Sequence, residues 1–235
     1  MRFFFPALIC SGVLGCGDNL QPPGVDAHVE PMLVVSGAVT RRDGFPPVTN
    51  PFPGVMVEAY THDSDATPVA SVIADDQGQF LLQIPSNGEA LDGYLKATIT
   101  GYVDTYLYPS KPITSDLSTS LNLLTPAQVD LLSGVLCASA QEATNGLVAV
   151  LVADANKTPV AGATISTSPT APKYCYDSGG YANKTATATD PDGLSFAINV
   201  AAGEVTVSAE ASDMTFVSHK LTARAGTFTT TVIQP

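Results

Sequence analysis

Ala74-Asp75-Asp76-Gln77-Gly78-Gln79-Phe80 and, in the other half of the chain, Thr189-Asp190-Pro191-Asp192-Gly193-Leu194-Ser195-Phe196 decide the fold. Each is a turn that opens a strand. Asp75 and Asp190 can accept backbone N–H bonds within the turn, and Gly78 and Gly193 can take positive φ. Phe80 and Phe196 are then expected to point into a core. Turn chemistry accounts for these residues without a bound metal.

Outward from the first turn, short apolar runs succeed one another. Val34, Ser36, Ala38 and Thr40 alternate with Val35, Gly37, Val39 and Arg41. Further runs span 55–60, 70–74, 79–84, 94–99, 103–108 and 117–124. In the last, Leu117, Thr119, Leu121 and Leu123 share one face, and Ser118, Ser120 and Asn122 the other. This is the half-buried strand pattern at sandwich spacing.

The second half repeats the order. Residues 146–153 open it, Val160-Ala161-Gly162-Ala163-Thr164-Ile165 matches Pro53-Gly54-Val55-Met56-Val57, and residues 204–209 match 94–99. Residues 123–126 likewise match 232–235. Two modules of about 90 residues follow, a size that can bury an independent core. The Pro-x-x-Gly strand entry, the Asp-x-x-Gly turn and the Val-Thr-Val strand resemble the carboxypeptidase regulatory-like domain. That resemblance implies an all-β chain of two tandem seven-stranded Greek-key sandwiches, transthyretin-like, over 32–124 and 142–235. The second carries an insertion at 167–184. In that family such modules are often accessory parts fused to enzymes or transporters.

Between the modules, residues 125–141 break the β pattern. Thr125-Pro126-Ala127-Gln128 reads as a capping box with proline at the first helical position. Val129, Leu132, Val135 and Leu136 then fall on one helical face. One short helix packed at the junction is expected, which would limit relative motion of the modules.

The N-terminus sets the compartment. Met1-Arg2, the apolar stretch Phe3 to Leu14, and Gly15-Cys16 resemble a bacterial lipoprotein signal over 1–15, with Cys16 acylated as the mature first residue. The stretch is too short to span a bilayer. Residues 16–31, rich in Pro, Gly and acid, read as a flexible tether reaching roughly 20 Å as coil and about 50 Å extended. The membrane partner is thus reached through acyl chains on Cys16. Gly17 is not the Asp that retains some lipoproteins at the inner membrane, so the outer membrane is expected, facing the periplasm or the cell surface. The chain has 22 Asp and Glu against 10 Lys and Arg, a net charge of -12, and loss of Arg2 with the signal takes it to -13. That charge repels phosphate backbones and excludes a nucleic-acid partner.

Two cysteines remain once Cys10 is removed and Cys16 acylated. In an exported protein Cys137 and Cys175 are expected to pair. The search for chemistry returns little. His28, His62 and His219 lack metal-site spacing. Ser218, His219 and Asp213 can be written as a triad, but adjacent strand residues point to opposite faces. Asp63 and Asp65, beside His62, are candidate calcium ligands, yet calcium takes six or more oxygens, so this loop reads as solvated. No cofactor is implied. Tyr102, Tyr106 and Tyr108 share strand parity and read as packing on one sheet face. Tyr174, Tyr176 and Tyr181 lie in the insertion, read as a loop, and are the candidate contact surface. The function expected is a non-catalytic, lipid-anchored envelope module for structure, adhesion or partner binding, an envelope protein being one partner class. Its alternative is a carbohydrate-binding lipoprotein using the three insertion tyrosines on a polysaccharide. An enzyme is the remote third.

Overall fold

The computed structural model of the chain describes residues 31–43, 48–62 and 66–235. Cys16, Asp63, Asp65 and the signal and tether up to residue 30 lie outside the described residues.

The first module contains β1 (Met32–Asp43), β2 (Val48–Pro51), β3 (Met56–Thr61), β4 (Ala70–Ile73), β5 (Gln79–Pro85), β6 (Gly93–Thr98), β7 (Thr105–Tyr108) and β8 (Leu117–Leu123). In its first sheet β1 pairs antiparallel with β2 and β5 and parallel with β8. The other sheet runs β4-β3-β6-β7. The core between them holds Val35, Val39, Val57, Phe80, Leu82, Ile84, Leu95, Leu121 and Leu123. Phe80, Leu82 and Ile84 point in while Gln79, Leu81 and Gln83 point out, the alternation of a sheet with one wet face.

The second module contains β9 (Asn145–Val152), β10 (Thr164–Ser168), β11 (Lys173–Asp177), β12 (Ala182–Asn183), β13 (Leu194–Ala201), β14 (Gly203–Glu210), β15 (His219–Ala223) and β16 (Phe228–Ile233). Its pairings repeat those of the first. β9 joins β13 antiparallel and β16 parallel, as β1 joins β5 and β8. β10-β14-β15 matches β3-β6-β7. The turns share their glycine contacts to the opening strand. Val39 N–H donates to Gly78 O at 2.7 Å, and Val152 N–H to Gly193 O at 2.9 Å. Gly78 and Gly193 have φ of 69° and 67°, and a Cβ would meet the Val39 or Val152 carbonyl oxygen at 2.6 or 2.5 Å. Only glycine fits such a site.

Three expectations are corrected. First, the modules are not separate sandwiches joined by a helix alone. β7 and β16 pair in parallel, Thr105–Tyr108 against Phe228–Thr231, and fuse the two main sheets into one of nine strands. The first module packs its other sheet on the back of this shared sheet, and the second packs β10-β14-β15 on the front.

Second, the insertion is not a loop. β11 adds to the sheet beside β13, in place of a β4 counterpart beside β10. Each module thus has eight strands where seven were expected, β2 and β12 being the additions.

Third, Phe196 does not occupy the place of Phe80. Ser195 does, buried with its Oγ donating to Val150 O at 2.9 Å. The aromatic falls one residue later, so strand parity turns it to the back face.

The back face of β9, β13 and β16 is covered by the connector. Thr125 caps α1 (Pro126–Asp130), and the capping box with Gln128 is present as expected. The helix then widens into a π-turn over Leu131–Leu136. The wider winding keeps Val129, Leu132 and Leu136 against Leu147, Phe196, Ile198 and Phe228 but rotates Val135 out to 65% exposure. It also buries Ser133, whose Oγ donates to Val129 O. Cys137 and Cys175 form the expected disulfide, tying the end of the π-turn to β11, with Cα atoms 5.6 Å apart. Beyond it, Asn199 Nδ2 donates to Ala140 O and its Oδ1 accepts Glu142 N–H, pinning the connector to the irregular stretch of β13.

Candidate functional site

Fusing two sandwiches on opposite faces of one sheet leaves a gap on each face. The front gap, beside β15, is filled. Tyr60, Tyr94, Tyr106 and Tyr108 project there from β3, β6 and β7 and join the second module's core. Tyr94 stacks on Tyr60 and Tyr108 with centroids 5.2 and 5.1 Å apart. The Arg224 guanidinium sits 4.3 and 4.7 Å from the Tyr106 and Tyr94 centroids and donates to Tyr108 Oη at 2.8 Å. His219 Nδ1 lies 2.7 Å from Thr231 Oγ1, and burial lowers its pKa.

The back gap, beside β8, is not filled by any of the described residues. It forms a cleft of about 820 Å³, within the range of ligand sites. Leu151, Leu194, Phe196, Phe228 and Val232 of the second module make its floor, and Leu131, Leu132 and Leu136 of the connector overhang it. The opposite wall is β8 with residues 109–116. Gln128 holds the upper end together, its Nε2 donating to Arg42 O.

One carboxyl group stands out at the rim. Asp177 is 4% exposed and its Oδ1 has no hydrogen-bond partner. Burial first, then the Asp192 and Asp190 carboxylates, raises its pKa to about 7, with Arg42 pulling the other way. Asp190 is lowered by N–H bonds from Asp192 and Gly179. Asp192 is raised chiefly by burial. Among the described residues no three His, Cys, Asp or Glu side chains converge as metal ligands.

The insertion tyrosines divide between these places. Tyr176 is buried in the second module's core, its Oη accepting Ile165 N–H, and Tyr174 Oη accepts Thr167 N–H. They brace β10 and present no exposed aromatic platform, because β11 lies in the sheet and its parity turns them to the front. Tyr181 alone of the three lines the cleft. Tyr106 and Tyr108 share the front face as expected, whereas Tyr102 packs on Phe52, 4.6 Å away. Ser218 Oγ pairs with Ser208 and His219 with Thr231, so no triad assembles. The sequence reading missed the cleft and Arg224. The signal for the cleft was the unbroken apolar run Leu147–Val152, which marks a strand buried on both faces.

These features define a two-module all-β sandwich protein with a shared sheet and a cleft at the junction. No family model matches the chain, and no curated protein matches it. It is similar to the solved structure of GBS52, the minor pilin of Streptococcus agalactiae, at 11% identity, covering 86% of this chain and 94% of that one, TM-score 0.28. It is similar also to the shaft pilin SpaA of Lactobacillus rhamnosus GG, at 14% identity over 87% and 98%, TM-score 0.27. A third is BcpA, the major pilin subunit of Bacillus cereus, at 9% over 87% and 99%, TM-score 0.29. Scores this low carry no inference about role. No helix among the described residues is long and apolar enough to cross a membrane.

Proposed function

We propose that this chain is a non-catalytic protein of the cell envelope, anchored by acyl chains on Cys16, that works by holding a partner in the cleft between its modules. The observation that carries the reading is the back gap, which the described residues leave unfilled. The front gap of the same sheet is packed with four tyrosines and Arg224, while the back keeps about 820 Å³ over an apolar floor. The carboxypeptidase regulatory-like resemblance supports the accessory, non-enzymatic part of this role. The glycan alternative rested on three tyrosines, of which Tyr174 and Tyr176 are engaged inside the second module.

Two experiments test it. Cys16→Ser is expected to move the protein from the membrane to the soluble envelope fraction, and unchanged fractionation contradicts the anchor. A photo-crosslinking residue at Leu131, over the cleft, is expected to trap a defined envelope partner in intact cells. One at Ser71, exposed on β4, is expected to trap none. Equal yields from the two positions contradict the cleft as the working surface.

A further inference from the structure

We infer that the cleft receives an extended polypeptide strand of alternating apolar and acidic residues, which pairs with the free edge of β8 and lays its apolar side chains on the floor. This deepens the partner-binding reading above and rests on it.

The main chain supplies the first argument. β8 pairs with β1 on one side, and among the described residues no strand pairs with its other side. In a parallel ladder, alternate residues turn their N–H and C=O groups away from the paired neighbour. Seven residues make an edge about 23 Å long at roughly 3.3 Å per residue. Such edges are normally blunted by Pro, Lys or a bulge. Leu117-Ser118-Thr119-Ser120-Leu121-Asn122-Leu123 carries no proline and no charge. The position next to β8 is the cleft itself. β5 is equally long and, among the described residues, no strand pairs with its outer side, but it does not line the cleft. An acyl chain would cover the floor and leave the β8 edge unpaired, so a strand suits both walls.

Charge supplies the second argument. The chain is acidic overall, yet Arg42, Lys111 and Lys157 line this cleft. Arg42 and Lys157 have no carboxylate within ion-pair distance among the described residues. Lys111 donates to Pro235 O. Of the facing acids, Asp116 accepts Val34 N–H and Asp177 is buried. Three cations thus line the cleft against two carboxyl groups, Asp116 and Asp177, and this excess favours an acidic partner.

The test uses the whole chain and a phage-displayed library of linear twelve-residue peptides. Enriched peptides are expected to alternate apolar residues with Asp or Glu. The best of them is expected to slow hydrogen exchange of the outward β8 amides and to lose binding when its alternate amides are N-methylated. The Lys111→Glu/Lys157→Glu variant, both sites being exposed and so safe for folding, is expected to weaken it about tenfold. No enrichment, enrichment without slowed exchange at β8, or binding that survives N-methylation overturns the proposal. So does laurate protecting the floor and connector where no peptide does. If the peptides fail while the Leu131 crosslink still traps a defined envelope partner, only the strand mode falls. If both fail, the partner-binding reading falls with it.

Discussion

The two faces of the shared sheet pose the same packing problem and answer it differently. On the front, the edge of the second module's outer sheet meets tyrosines and an arginine that close the gap. On the back, the edge of the first module's outer sheet meets leucines and a phenylalanine that the connector only partly roofs. A gap that evolution has filled is structure, and its removal should cost stability. A gap left open over apolar surface is held open at a cost, because roughly 25 cal/mol is forgone for each Å² of apolar surface left in water. That contrast is the reason for reading the back as a site.

The largest expected effect concerns the roof of the open side. Replacing Cys137 and Cys175 by serine opens a 38-residue loop. By chain entropy it should cost about 4 kcal/mol and lower Tm by about 10 °C, read from melts of variant and parent. A shift within error would mean that the roof is held by packing alone.

Next is the filled side. Arg224→Ala removes the cation between Tyr94 and Tyr106 and the bond to Tyr108. It should cost about 2 kcal/mol in chemical denaturation. A neutral result would erase the contrast between the faces.

Asp177 gives a smaller effect that depends on pH. Its pKa is raised from 3.8 to about 7 in the fold, so the folded state holds the proton more tightly than the unfolded. The resulting stability is fully present below pH 3.8 and is lost as pH rises through about 7. Asp177→Asn should therefore flatten the decline in Tm between pH 4 and 8 and raise Tm relative to the parent at pH 8. A parallel decline in both proteins would show that another group sets the slope. The smallest effect is at Ser120, exposed on β8 at the cleft wall. Ser120→Lys should change stability by under about 0.5 kcal/mol, while its added charge blunts the edge for a partner strand.

The repeats were legible because local chemistry forces them. Gly78 and Gly193 sit where a Cβ would strike a carbonyl oxygen, and the alternation of β5 announces one wet face. The capping box at Thr125 was legible for the same reason. What escaped depended on partners far along the chain. The pairing of β7 with β16 joins residues about 123 apart, and nothing near Thr105 or Thr229 declares it. Phe196 was misplaced by one residue because the motif fixes the turn but not which face the next aromatic serves. The insertion tyrosines were read as exposed because β11 is five residues long and its neighbour, β13, is remote in sequence. The disulfide was legible from compartment and cysteine count, and its place between the end of the π-turn and β11 was not.

The most direct test of the shared sheet is hydrogen exchange at its seam, on the backbone amides of 105–108 and 228–231 in the whole chain. The structure requires exchange there to be as slow as in the centre of β9, since the seam opens only with the fold. Fast exchange at the seam beside slow exchange in β9 and β3 would mean two modules moving independently, with no fixed cleft between them.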